Sequence, residues 1–141
     1  MAGIRRFEEI EAWQVARRLT KAVYTYSKKG SFARDFGLRD QIQRASVSIM
    51  SNIAEGFERE GAGEFSQFLG IAKGSAAEVR SQLYVALDQN YVTPKEFDEL
   101  FAMTESTRKL IAAIPARMEA QPMRFLRTTE PGAWPTGREV G

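Results

Sequence analysis

The stretch SVSIMSNIAEGFERE, residues 46–60, decides how the chain is read. Its apolar residues recur at helical spacing, yet Ser48, Ser51, Asn52 and Glu55 are set among them, and a glycine-bearing turn follows. On a wheel at about 100° per residue, Leu38, Ile42, Ala45, Ile49 and Ile53 form one apolar stripe. Val47, Met50, Ala54 and Phe57 form a second, roughly 120° away. Two stripes cover more of the circumference than the ~100° a surface helix needs. One four-helix bundle buries one stripe, so the second calls for a partner surface and predicts a homo-oligomer.

The remaining arc carries Gln41, Arg44, Ser48, Ser51, Asn52 and Glu55. A solvated face favours Lys, Glu, Arg and Gln, which have better helix propensity than Ser and Asn. Short polar side chains therefore predict a close neighbouring backbone or specific hydrogen bonds.

Working outward, apolar positions at Ile10, Trp13, Ala16, Leu19, Val23 and Tyr26 predict a helix over about 7–29, broken by GSFARDFG. The opening stretch belongs to a second helix over about 38–57, closed by EREGAG. A third, over about 64–90, carries Phe65, Phe68, Ala72, Ala76, Val79, Leu83 and Leu87, with Asn90 suited to a left-handed cap. VTPKEF opens a fourth over about 94–114 or slightly beyond: Thr93 as N-cap, Pro94 at the first position and Glu96 closing a capping box. Pro115 is expected to kink or end it. No strand-like alternation is present. The fold class is thus all-α, an antiparallel up-down-up-down four-helix bundle over residues 1–120. Residues 121–141, rich in Pro, Gly and Thr, read as an irregular tail. A second reading of the tail docks Phe125, Leu126 and Trp134 on a neighbouring subunit or a partner.

In the third helix Ser66, Gly70, Gly74, Ala77 and Ser81 form a row of small residues. An interior glycine costs roughly 1 kcal/mol relative to alanine. Gly70 and Gly74 therefore predict close helix packing or room for a neighbour's side chain, with local flexibility as the alternative. If the second and third helices form a hairpin, Arg44 lies level with Glu78, predicting a partly buried ion pair that fixes register. Asn52 is expected near Gln14, and Glu55 near the free backbone N–H groups that open the third helix. These residues make up the expected structural polar network.

Composition removes several function classes. The chain of 141 residues has no cysteine and no histidine. Disulfides, thiolate sites, most metal sites and His-dependent triads are thereby excluded. No apolar run approaches the ~18 residues of a membrane span. The N-terminal residues lack a signal-peptide core, so a cytoplasmic location is expected. Candidate acids are Glu55, Glu78, Asp98, Glu99 and Glu105, but di-metal bundle sites rely on Glu-x-x-His. GAGEF and AKGSAAE lack the spacing of a phosphate loop. Lys73 and Ser75, two apart on a helix, do not face each other. No catalytic, cofactor or metal residue is assigned, and an enzyme is the least favoured class.

Net charge is only +2, but residues 1–40 hold nine Lys or Arg against five Asp or Glu. Arg17, Lys21, Tyr24 and Lys28 fall on one helical face. Such a stripe is either a solvated face over the core or a contact for the phosphates of RNA or DNA. No RNA-recognition, helix-turn-helix or zinc pattern is present, so any binding is expected to be weakly sequence-specific.

FEEIEAWQVARRL, FGLRDQIQRASVSIMSNIAEGFER and EFSQFLGIAKGSAAEVRSQL together resemble the bacterial family of 23S rRNA intervening-sequence proteins, over about residues 7–115. SNIAEG and IAKGSAAE carry the resemblance most specifically. It departs at DQNYV, where the family more often has a glycine before the aromatic. The resemblance implies an antiparallel four-helix bundle, a cyclic ring with a pentamer favoured, and no attributed enzymatic activity. A related branch, the accessory proteins of diversity-generating retroelements, is similar in fold, works with a reverse transcriptase and binds nucleic acid. Two classes lead: a self-assembling scaffold or accessory protein that engages a protein partner, and a nucleic-acid-binding accessory ring.

Overall fold

Four long helices and one short one form the computed structural model of the chain, which describes the backbone of residues 3–120 and side chains through Ile114. The tail beyond Ala120, with Phe125, Leu126 and Trp134, lies outside the described residues. A 3-10 turn (Phe7–Glu9) precedes α1 (Glu11–Ser27); α2 (Gly30–Arg34), α3 (Phe36–Glu58), α4 (Ala62–Asp88) and α5 (Pro94–Ala120) follow. Among the described residues there is no strand. α1 packs on α3 and α5, and α4 packs on the same two. Short connections between these neighbours make successive long helices antiparallel, so the expected up-down-up-down bundle is the observed one.

Local chemistry sets the boundaries. The Thr93 hydroxyl accepts from the Glu96 N–H at 3.1 Å, and Glu96 accepts from the Thr93 N–H at 2.9 Å. This is the capping box that VTPKEF predicts. Asn90 takes φ 59°. Its N–H donates to the Leu87 carbonyl, while that of Tyr91 reaches back to Ala86, a Schellman closure of α4. Gly61, at φ 93°, separates α3 from α4 in a conformation that L side chains avoid.

The boundaries differ from expectation in three places. The first helix is split, because Ile10 is extended and closes the 3-10 turn before α1 begins. GSFARDFG is not only a breaker. Residues Gly30–Arg34 close one helical turn, and Asp35 then caps α3 by accepting from the Leu38 N–H at 3.1 Å. The Asp35 carboxylate also accepts from the Tyr91 hydroxyl at 2.9 Å, tying the α2–α3 corner to the α4–α5 loop. Finally, α5 runs on through Pro115 to Ala120. A proline's fixed φ is helical; inside a helix it removes one hydrogen bond and crowds the carbonyl four residues back, which bends a helix without having to end it.

The first stripe of α3 enters the core from Ile42 on: Ile42, Ala45, Ile49 and Ile53 are buried with Leu19, Val23, Ala72, Ala76, Val79, Leu83, Leu100 and Ile111, while Leu38 is only half-buried. The second stripe is only partly covered by its own chain. Phe57 is buried, Met50 and Ala54 are half-buried, and Val47 is 39% exposed. Threonines within the core cost little, because Thr104 and Thr107 donate to the carbonyls of Leu100 and Met103, one turn back.

Candidate assembly face and basic stripe

The serines and asparagine of α3 are internal glue where they meet α4. The hydroxyls of Ser48 and buried Ser75 are 2.8 Å apart. Asn52 Nδ2 donates to the Ser48 carbonyl at 2.8 Å and to its Oγ at 3.0 Å. A similar seam joins α1 to α3: Gln43 donates to Ser27 Oγ at 2.8 Å, and Thr20 donates to the Ser46 carbonyl at 3.2 Å. Specific hydrogen bonds thus explain Ser48 and Asn52 of the opening stretch, while Ser51 is exposed. Asn52 spends its amide on Ser48, not on Gln14, whose amide donates to the Glu8 carbonyl at 2.9 Å.

Close helix approach also occurs, but at a glycine that residue spacing does not single out. A Cβ placed on Gly56 would sit 2.6 Å from Phe68 Cβ and 3.0 Å from Phe65 Cδ1. By contrast, Gly70 and Gly74 are exposed, and a Cβ on either meets nothing within 4 Å. The expected tight packing at Gly70 and Gly74 is therefore absent within the chain, because both lie on the outward arc of α4. Room for a neighbour's side chain is what these two positions offer.

A groove runs along the outside between α3 and α4. Gln41, Arg44, Ala45, Ser48 and Glu78 line one half; Gly37, Leu38, Ser81, Gln82 and Val85 continue it. The expected register holds to the extent that Arg44 and Glu78 share this groove. The expected ion pair does not form: no nitrogen–oxygen contact within 4 Å joins them, and both residues are exposed. Glu55 likewise does not cap α4. It accepts from Arg59 at 2.8 Å, one turn along its own helix. Val85, on the α4 wall of the groove, is exposed, as are Ile71 on α4 and Val47 on the second stripe of α3, and Gln82 Oε1 is buried with no hydrogen-bond partner among the described residues.

On the other side of the molecule α1 displays the basic stripe. Lys21 and Lys28 are exposed, while Arg17 and Tyr24 are half-buried. Arg17 lies over the Trp13 ring, 5.9 Å from its centroid, and Lys28 over Tyr24 at 5.7 Å. Among the described residues no carboxylate lies within 4 Å of Arg17, Lys21 or Lys28. These cations are free to meet anionic groups from outside. Tyr26, next along the helix, is turned the other way, and its hydroxyl donates to Glu99 at 3.3 Å. Burial, followed by the nearby Glu99 and Glu96 charges, holds its phenol above the ordinary value.

The candidate acids do not converge. Glu105 accepts from Arg108 at 3.0 Å and lies 3.4 Å from Arg80. The Arg108 hydrogen bond holds its carboxyl below the ordinary range, against a smaller opposing effect of burial. A carboxyl whose ionised form is favoured in this way is a poor general acid near neutral pH. Lys73 is exposed while Ser75 turns inward to Ser48, so the two do not meet. Among the described residues no group of three Asp or Glu could hold a metal ion. None of their helices is long and apolar enough to cross a membrane.

Comparison with known proteins places this geometry in a family. The model of the 23S rRNA-intervening sequence protein family matches residues 8–113. A crystal structure of a protein of unknown function from the S23 ribosomal protein family of Bacteroides thetaiotaomicron VPI-5482 is similar in fold. It superposes with a TM-score of 0.67 at 20% identity, over 74% of this chain and 97% of that one. No curated protein matches the chain. A match over most of the bundle, including the α3–α4 seam and the α1 stripe, shows that the chain belongs to the 23S rRNA-intervening sequence protein family.

Proposed function

We propose that the protein is a non-enzymatic, self-assembling bundle that acts as a scaffold or accessory protein. The observation that carries this reading is apolar surface left exposed on two helices: Val47 on the second stripe of α3, and Ile71 and Val85 on α4. Covering the exposed part of each, 39% of Val47, 52% of Ile71 and 44% of Val85, would recover a fraction of the ~1.5–3 kcal/mol that full burial of such a side chain is worth. Exposed apolar area on both helices favours association. The candidate acids are scattered, and Glu55 and Glu105 are tied up by arginines, which favours a binding role over catalysis. Sedimentation velocity across a concentration series tests the reading: a species heavier than one chain supports it, and a single-chain particle throughout rejects it.

A second reading is favoured by the absence of carboxylate partners around Arg17, Lys21 and Lys28 among the described residues. In an assembly the α1 stripe repeats, and attraction for the phosphates of RNA or DNA adds across subunits although each carries a net charge of only +2. The nucleic-acid-binding accessory role would then be a property of the assembly. Its signature is an affinity that falls steeply with salt.

A further inference from the structure

We infer that Phe36 is a stacking platform for a base of single-stranded nucleic acid, placed where the cations of the α1 stripe end. The inference rests on the nucleic-acid reading and deepens it, naming the form of the polymer and a residue outside the stripe.

Phe36 opens α3 and is 63% exposed, more than any other large apolar side chain among the described residues. Its ring is held from one side only. The Arg39 guanidinium lies 4.8 Å from the ring centroid and is itself fixed by the Ala33 carbonyl and Asp40, each at 3.0 Å. Cations lead up to this ring. Lys28 ends the stripe, and Lys29 and Arg34 follow along the single turn α2, which packs on both α1 and α3. All three are exposed, and among the described residues no carboxylate lies within 4 Å of any of them. The acids flanking Phe36 in the chain are already engaged. Asp35 accepts from the Leu38 N–H and the Tyr91 hydroxyl, and Asp40 pairs with Arg39. Phosphates drawn to the cations would bring the rest of the polymer to the ring. A duplex keeps its bases stacked inside, whereas an open strand offers a π-face at every base, and aromatic rings beside a basic track are how such strands are held. An anionic bilayer fits less well: interfacial docking takes a broad apolar face, and Phe36 is one ring among Arg34, Asp35 and Asp40.

The test uses the full chain with Phe36→Leu, which keeps apolar bulk without a ring, and Phe36→Tyr, which keeps the ring. Because the side chain is largely in solvent, helix content is expected to be unchanged in both. The probes are labelled RNA and DNA strands of about 12 nucleotides, within the span of known strand-binding sites, and the DNA duplex of the same sequence. Fluorescence anisotropy is expected to show both strands bound more tightly than the duplex. Phe36→Leu is expected to weaken strand binding about tenfold, the usual scale for one lost base stack, and to leave duplex binding within about twofold. Phe36→Tyr is expected to bind strands like the parent. The salt slope should be the same in all three proteins, since no cation is removed. Duplex and strand bound alike, with Phe36→Leu without effect, would overturn the stacking role and leave the α1 contact standing. A loss in Phe36→Leu that falls equally on duplex and strand, or that Phe36→Tyr shares, would also overturn it. No binding of any nucleic acid would overturn both, and Phe36-dependent binding to anionic vesicles in its place would assign the ring to a membrane surface.

Discussion

Ser48 and Ser75 face each other across the α3–α4 seam with their hydroxyl oxygens 2.8 Å apart, and Asn52 donates to the same Ser48 oxygen. Three short polar side chains thereby close a hydrogen-bonded seam in an otherwise apolar contact. Replacing Ser48 by alanine leaves the buried Ser75 hydroxyl without this partner and removes one acceptor from Asn52. The expected loss is about 1–2 kcal/mol of unfolding free energy, read from urea denaturation at fixed protein concentration. Because the two residues share one bond, Ser75→Ala in the Ser48→Ala background is expected to cost less than it does alone.

The glycines of α3 and α4 separate sharply by position. Gly56→Ala places a methyl against the Cβ of Phe68, where neither backbone can yield cheaply. A loss of about 1–3 kcal/mol is expected. Gly70→Ala and Gly74→Ala meet open space and relieve the helix of flexible residues, so each is expected to add about 0.5–1 kcal/mol to the fold. Chemical denaturation of the three variants at equal concentration checks the opposite signs.

Glu105 gives a pH dependence of definite sign. Its hydrogen bond to Arg108 lowers its folded-state pKa, so the stabilisation is present above its unfolded value and fades as pH falls through the lowered one. Glu105→Gln is therefore expected to be less stable than the parent at neutral pH, by no more than about 1 kcal/mol for so exposed a cluster. The gap should close well below about pH 4, where the parent carboxylate protonates too. Melting temperatures of both proteins between pH 7 and pH 3 provide the comparison.

The α1 stripe makes its own prediction. Lys21→Glu with Lys28→Glu removes two exposed cations without disturbing a salt bridge among the described residues. Binding to RNA or DNA, followed by fluorescence anisotropy over a salt series, is expected to weaken uniformly across sequences and to lose part of its salt slope. Assembly should be unaffected. Binding that survives the reversal would remove α1 as the contact.

Sequence carried the bundle well because its signals are local. Periodic apolar residues fixed the four long helices, and the Thr93–Glu96 box and Asn90 cap were readable from residue type and spacing alone. The candidate surfaces were harder. A glycine in tight contact and a glycine in the open look alike in a sequence, so Gly70 and Gly74 drew the reading that belongs to Gly56. The Phe65 and Phe68 rings near Gly56 were visible, but only the hairpin register brings them to it. Arg44 and Glu78 were correctly brought to one groove, while whether long side chains bridge it depends on outward angles that level register does not give. The short helix Gly30–Arg34 escaped because one turn is too brief for periodicity to show.

Uncovered apolar area on α3 and α4 underlies the whole functional account, and the mass of the particle in solution tests it most directly. Light scattering coupled to size exclusion, on the full chain at tens of micromolar and above, is predicted to return a multiple of 15.9 kDa. A well-folded particle of 15.9 kDa at every concentration would contradict it.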